Sequence, residues 1–257
     1  MKNRSDPFVL LPGGPGLPAS YYEELVDGLS EFGTVIVPPN PKAFPKTVSE
    51  AAGNVGEFVE TLQTPPVLVG HSFGAAVAIE ALAQGVPAKT AILVSGYSSG
   101  STIRQGVLSR QAGLPSEFHS RYRESRTPDQ INALLFEYWV PAHFCRITVP
   151  QSIATGLANM DHQFMQHFLG TNFFDPSGEM LNWDRSGFLS EIALPVLLLA
   201  GASDYLTNSQ VREMVEAIPN CRAWIGEHSS HNCWIEEPTA VFTAIRDFLV
   251  EIDAARV

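Results

Sequence analysis

The chain has 257 residues, 45% hydrophobic and 17% charged, the composition of a globular protein long enough to bury a sizeable core in one large domain or two small ones. Its 27 acidic residues outnumber 16 basic ones for a formal net charge of −11, which argues against nucleic acid and anionic membrane surfaces as partners. The three cysteines are widely spaced, no apolar run approaches the ~18 residues of a membrane span, and Met1–Asp6 lacks a signal peptide's apolar stretch, so a reducing cytoplasm is the expected compartment.

In chain order, a strand is expected at Phe8–Leu11, a helix at Tyr21–Leu29, a strand at Thr34–Val37, a helix at Val48–Leu62, a strand at Val67–Val69, a helix at Ala75–Ala83 and a strand at Thr90–Val94. Between Ser98 and Ser190 no strand interrupts a series of polar and aromatic helical stretches. Strand signals return at Val196–Ala200 and Cys221–Trp224, separated by a helix at Gln210–Ile218 and followed by an amphipathic helix at Thr239–Ile252. This alternation implies an α/β fold, a mainly parallel sheet of about six strands flanked by helices. Residues 1–97 and 191–257 form the expected core domain, and 98–190 an inserted helical lid over the site.

Gly70-His71-Ser72-Phe73-Gly74 joins an apolar strand to an alanine-rich helix. That setting suits a nucleophilic serine: the elbow is too tight for side chains at 70 and 74, and Ser72 meets a helix N-terminus that favours a developing oxyanion. A serine needs a base, and the base needs an orienting carboxylate. Asp204 follows the strand Val196–Ala200 where ligands collect in parallel sheets, and the loop after Trp224 offers His228 and His231. His231 is the expected base because Trp234 and Ile235 pin its end of the loop, whereas His228 reads as solvated. Asp161 and Asp184 lie away from strand ends, and Asp184 reads as the anchor of a chain crossing.

The expected oxyanion donors are the N–H groups of Phe73 and of Gly14, the latter in the loop Pro12-Gly13-Gly14-Pro15-Gly16. That loop also matches the dinucleotide fingerprint Gly14-x-Gly16-x-x-Ala19, but Pro15 and Pro18 remove amide donors and no acid follows the next strand. Cys233 reads as an apolar filler, because no further histidine or acid completes a metal set with His228 and His231.

These residues resemble the α/β-hydrolase superfamily, and within it the proline iminopeptidase branch, over nearly the whole chain. Gly13-Gly14-Pro15-Gly16 is similar to that branch's His-Gly-Gly-Pro-Gly motif with Pro12 in place of the histidine. Gly170-Thr171-Asn172-Phe173-Phe174, followed by Trp183-Asp184, is similar to its lid signature, and Ser230-His231 with Trp234 and Glu236 to its histidine loop. The resemblance implies the triad Ser72, Asp204 and His231 and makes Phe173, Tyr205 and Trp234 the expected substrate-binding residues. The superfamily usually begins with two antiparallel strands, which are expected to be missing here because the sequence starts at the strand before the oxyanion loop. Phe173 and Tyr205 stand where the aminopeptidases carry acids for a substrate amine, and an unpartnered ammonium is costly to bury.

A serine hydrolase acting on a small, largely apolar ester, lactone or amide is the leading expectation, with no metal or cofactor and a small molecule as partner. An iminopeptidase using Glu137 or Asp161 for the amine is the alternative within enzymes. Receptors, lyases and cofactor-free oxygenases share the fold and form a different class. Oligomeric state is left open.

Overall fold

The computed structural model describes residues 6–39 and 44–254. Six strands form one sheet in the order β2-β1-β3-β4-β5-β6: β1 (Phe8–Leu11), β2 (Val35–Ile36), β3 (Val67–His71), β4 (Thr90–Val94), β5 (Val196–Gly201) and β6 (Cys221–Gly226). Every neighbouring pair of these strands runs parallel.

The central strands are unbroken apolar runs because both faces of a parallel sheet are covered. Along β1, alternate residues divide between two cores: Val9 and Leu11 join α2 (Val48–Val59) and α3 (Phe73–Ala83) on one face. Phe8 and Leu10 join α1 (Glu23–Ser30) and the C-terminal helix Pro238–Ala254 on the other. The chain crosses from β2, outside β1, to β3 on its other side, so the C-terminal ends of β1 and β3 meet at the topological switch point where parallel sheets bind ligands.

The expected boundaries shift by small amounts. The helix expected from Tyr21 starts as a 3₁₀ turn at Ala19–Tyr22, the one expected from Ala75 begins at Phe73, and β2 is only two residues long.

Between β4 and β5 the chain is helical: α4 (Gly100–Ala112), α5 (Ser116–Glu124), α6 (Pro128–Leu134) running into a π-helical stretch Leu135–Phe144, α7 (Gln151–Ala158) and α8 (His162–Leu169). Thr127 and Gln130 form a capping box at the start of α6, with Pro128 in its first turn. The root of the insertion is clamped where it leaves and returns, by an antiparallel bridge between Ser99 and Asp184 and by Arg185 N–H to the Ser98 carbonyl at 2.8 Å. Buried Glu80 of α3 accepts from Trp183 Nε1 at 2.8 Å and Arg185 Nε at 2.6 Å, tying that stretch to a helix packed on the sheet.

Candidate active site

Ser72 alone separates β3 from α3, with φ 53° and ψ −116°. A residue with a side chain is strained there by about 1–3 kcal/mol, a cost met when the surroundings over-determine the turn. They do: a Cβ on Gly74 would run into the carbonyl of Leu11, and one on Gly70 would lie 2.7 Å from Ala75 N. Ser72 N–H donates to Val94 O at 2.9 Å and its carbonyl accepts from Ala75 N at 2.9 Å, so the backbone is held while Oγ faces the site.

Past the end of β5, Asp204 Oδ1 accepts from Leu206 N at 3.1 Å and from His231 Nδ1 at 3.0 Å, while buried Oδ2 has no partner. The bond to Nδ1 leaves Nε2 of His231 as the acceptor facing the serine. Ser95, at φ 50° just past β4, donates its hydroxyl to the His231 carbonyl at 2.9 Å. Glu236 Oε2 accepts from Ser230 N at 2.6 Å and Ser230 Oγ at 2.8 Å, bracing the loop. His228 is exposed, and its backbone is engaged by its N–H to Glu237 Oε2 at 3.2 Å and by its carbonyl, which accepts from Arg146 Nη1 at 3.4 Å.

Ser72 and His231 do not bond directly. Tyr205 Oη lies between them, 3.2 Å from Ser72 Oγ and 3.3 Å from His231 Nε2. Burial, and then the neighbouring charge of Asp204, push the Tyr205 phenol well above its ordinary pKa, so it is held protonated.

On the facing side, Gly13 N–H donates to Tyr22 Oη at 2.5 Å, and the Tyr22 hydroxyl is hydrogen-bonded to His71 Nδ1 at 3.0 Å. His71 Nε2 is buried without a hydrogen-bond partner. Burial, reinforced by His231, pushes the His71 pKa well below that of a free imidazole, so this ring is a neutral brace between loop and elbow. With Gly13 turned to Tyr22, the next amide is that of Gly14, whose φ of 111° suits only glycine.

Residues 8–244 match the model of the alpha/beta hydrolase family. The chain belongs to that family. It is 21% identical to the proline iminopeptidase of Lactobacillus delbrueckii subsp. bulgaricus, over 96% of this chain and 90% of that protein. The crystal structure of the proline iminopeptidase of Mycobacterium smegmatis superposes with a TM-score of 0.83 at 22% identity, covering 98% of this chain and 91% of that one. Est816, described as an N-acyl homoserine lactone degrading enzyme, superposes with a TM-score of 0.68 at 20% identity, covering 96% and 94%.

In this alpha/beta hydrolase the inserted helices meet both loops that carry the candidate acid and base. Three successive carbonyls of the acid turn are grasped from the insertion: Ala202 O by Arg110 Nη2 at 2.8 Å, Ser203 O by His143 Nδ1 at 2.8 Å and Asp204 O by Arg110 Nε at 2.7 Å. His231 N–H donates to His143 O and Asn232 N–H to Phe144 O, each at 3.2 Å. Phe173 packs edge-on to Trp139 at 5.2 Å and to Tyr205 at 6.0 Å between ring centroids, building an apolar wall against Tyr205. Ser72, Tyr205 and His231 are 4, 5 and 1% exposed, so the site is closed in this conformation.

Trp234 lies in the short helix Cys233–Glu236, which turns its ring away from the wall to stack on Tyr22 at 6.0 Å and abut His71 at 4.7 Å. It belongs to the core on the other sheet face and supports the site from behind. Cys233 beside it is fully buried, its thiol pushed well above the ordinary range by burial. Among the described residues, no group of three or more His, Cys, Asp or Glu could hold a metal ion, and no helix is long and apolar enough to cross a membrane.

Tyr22, His71, Ser95, Arg110, Trp139 and His143 had no sequence signal for their roles. Only His71 stood inside a motif, at its variable position.

Proposed function

We propose that this protein is a serine hydrolase that forms an acyl-enzyme on Ser72 from a small, neutral, largely apolar ester, lactone or amide, with residues 98–190 serving as its lid. The Asp204–His231 bond of 3.0 Å, set beside a serine at a strained helix start, carries this reading. His231 Nε2 takes the Ser72 proton as Oγ attacks the substrate carbonyl. The resulting oxyanion is held by the N–H groups of Gly14 and Phe73. His231 then gives the proton to the departing oxygen or nitrogen, and a water molecule repeats the sequence to release the acid and restore Ser72.

The apolar wall sets the substrate class. Phe173, Trp139 and Tyr205 pack directly on one another, leaving no carboxylate among them to meet an ammonium. The acids an iminopeptidase would have to recruit are engaged elsewhere. Glu137 is paired with Arg121 through contacts of 2.6 and 2.8 Å, and Asp161 caps α8 by accepting from Phe164 N at 3.0 Å. Purified protein assayed against p-nitrophenyl esters of rising chain length and against proline-4-nitroanilide tests the reading. Ester turnover well above anilide turnover is expected, and comparable rates would replace this reading with the iminopeptidase one.

A further inference from the structure

We propose that the Tyr205 hydroxyl occupies the leaving-group position of Ser72, making Tyr205 a specificity-determining residue that admits acyl groups able to drive it out and holds Ser72 latent toward those too small to do so. This deepens the serine-hydrolase reading above and rests on it. During acyl transfer to Ser72, one atom from outside the triad must come within reach of both Oγ and His231 Nε2. In acylation it is the departing oxygen or nitrogen, and in deacylation the water oxygen. Tyr205 Oη stands there already, at 3.2 and 3.3 Å.

The direction of the hydrogen bonds follows from the acid. His231 donates Nδ1–H to Asp204, so Nε2 accepts the Tyr205 proton, and Ser72 in turn gives its proton to the phenol oxygen. A neutral phenol is a far weaker base than imidazole, so in this state the nucleophile is not activated. The break in the Ser72–His231–Asp204 chain falls at this one joint.

Tyr205 cannot leave alone. Its carbonyl lies so close to Gly106 of α4 that a Cβ there would overlap it. Its ring is wedged between His231, 4.5 Å away, and the wall, with Phe173 at 6.0 Å and Trp139 at 6.1 Å. An acyl chain that packs into that wall displaces Phe173 and Trp139 and makes room for the Tyr205 ring to withdraw. An acetyl group is too short to do so.

The test compares the parent chain, Tyr205→Phe and Phe173→Leu. It follows the rate at which a small fluorophosphonate labels Ser72, and kcat/KM for p-nitrophenyl acetate and p-nitrophenyl octanoate. Removing the hydroxyl should raise labelling and acetate turnover about tenfold while octanoate turnover changes less than about threefold, so the preference for the long acyl chain shrinks. Phe173→Leu loosens the wall without touching the hydroxyl and should raise acetate turnover in the same direction, which keeps the test decisive if Tyr205→Phe folds poorly. Acetate turnover unchanged in both variants would make Tyr205 a packing residue. A fall of both esters in Tyr205→Phe would make the phenol a proton relay, and either result overturns the proposal. Labelling of Ser72→Ala as fast as the parent would instead bring down the serine-hydrolase reading itself.

Discussion

The Arg110 guanidinium donates from Nε to the backbone carbonyl of Asp204 at 2.7 Å and from Nη2 to that of Ala202 at 2.8 Å. Arg110 sits on α4 and spans both carbonyls with one rigid fork, which a lysine ammonium cannot match. Its charge also lies close to Asp204, whose Oδ2 is buried without a partner. Hydrogen bonds from a charged donor contribute roughly 1.5–3 kcal/mol, so misplacing Asp204 by their loss should lower kcat/KM by about 10- to 100-fold. Arg110→Gln is expected to show that drop, and Arg110→Lys only a partial recovery. A Tm near the parent value would separate the catalytic loss from global unfolding.

His231 and His228 differ in every relevant contact. Only His231 reaches Asp204, and only His228 is exposed. His231→Ala should reduce turnover by several orders of magnitude, as removal of a triad base does elsewhere, while His228→Ala stays within a few-fold of the parent. Equal losses in the two variants would reassign the base.

The parts of this architecture written locally in the sequence were legible. The apolar runs of β1, β3, β4 and β5 are contiguous, and the elbow announces itself through Gly70 and Gly74 two residues either side of Ser72. What lay out of reach depends on residues that meet across long stretches of chain. Arg110 and Asp204 are 94 positions apart, Tyr22 and His71 49, and no spacing rule links either pair. Trp234 shows a different difficulty. Its proximity to the histidine loop could be read, but the face it takes depends on a four-residue helix whose single turn directs the ring to Tyr22. The π-helical course of Leu135–Phe144 around Pro141, which delivers His143 to the acid turn, likewise has no simple periodicity to betray it.

Phe173 is half-buried against Trp139, Phe174 and Tyr205, where a carboxylate would be needed to accept a substrate ammonium. Burying an unpartnered ammonium costs several kcal/mol, equivalent to about a hundredfold or more in kcat/KM. Phe173→Glu should therefore shift the ratio of proline-4-nitroanilide to neutral-ester turnover toward the anilide by about that factor. A ratio that does not move would place the acyl group elsewhere in the site.

The neutral His71 brace sets a pH dependence of stability whose sign can be worked out. Its folded-state pKa is held well below 6.5, by burial first and by His231 second, whereas in the unfolded chain the imidazole titrates near 6.5. Above that value neither state binds the proton and His71 contributes no slope. As pH falls below it the unfolded state takes up a proton that the native state refuses, so stability is lost at up to about 1.4 kcal/mol per pH unit until the depressed folded pKa is reached. His143, also shifted down chiefly by burial, adds in the same direction. The parent Tm should fall between pH 7 and pH 5, and His71→Gln should flatten that fall even though its Tm at pH 7 is lower through loss of the Tyr22 contact. Equal slopes for the two chains would mean that the folded protein takes up the His71 proton as readily as the unfolded chain does.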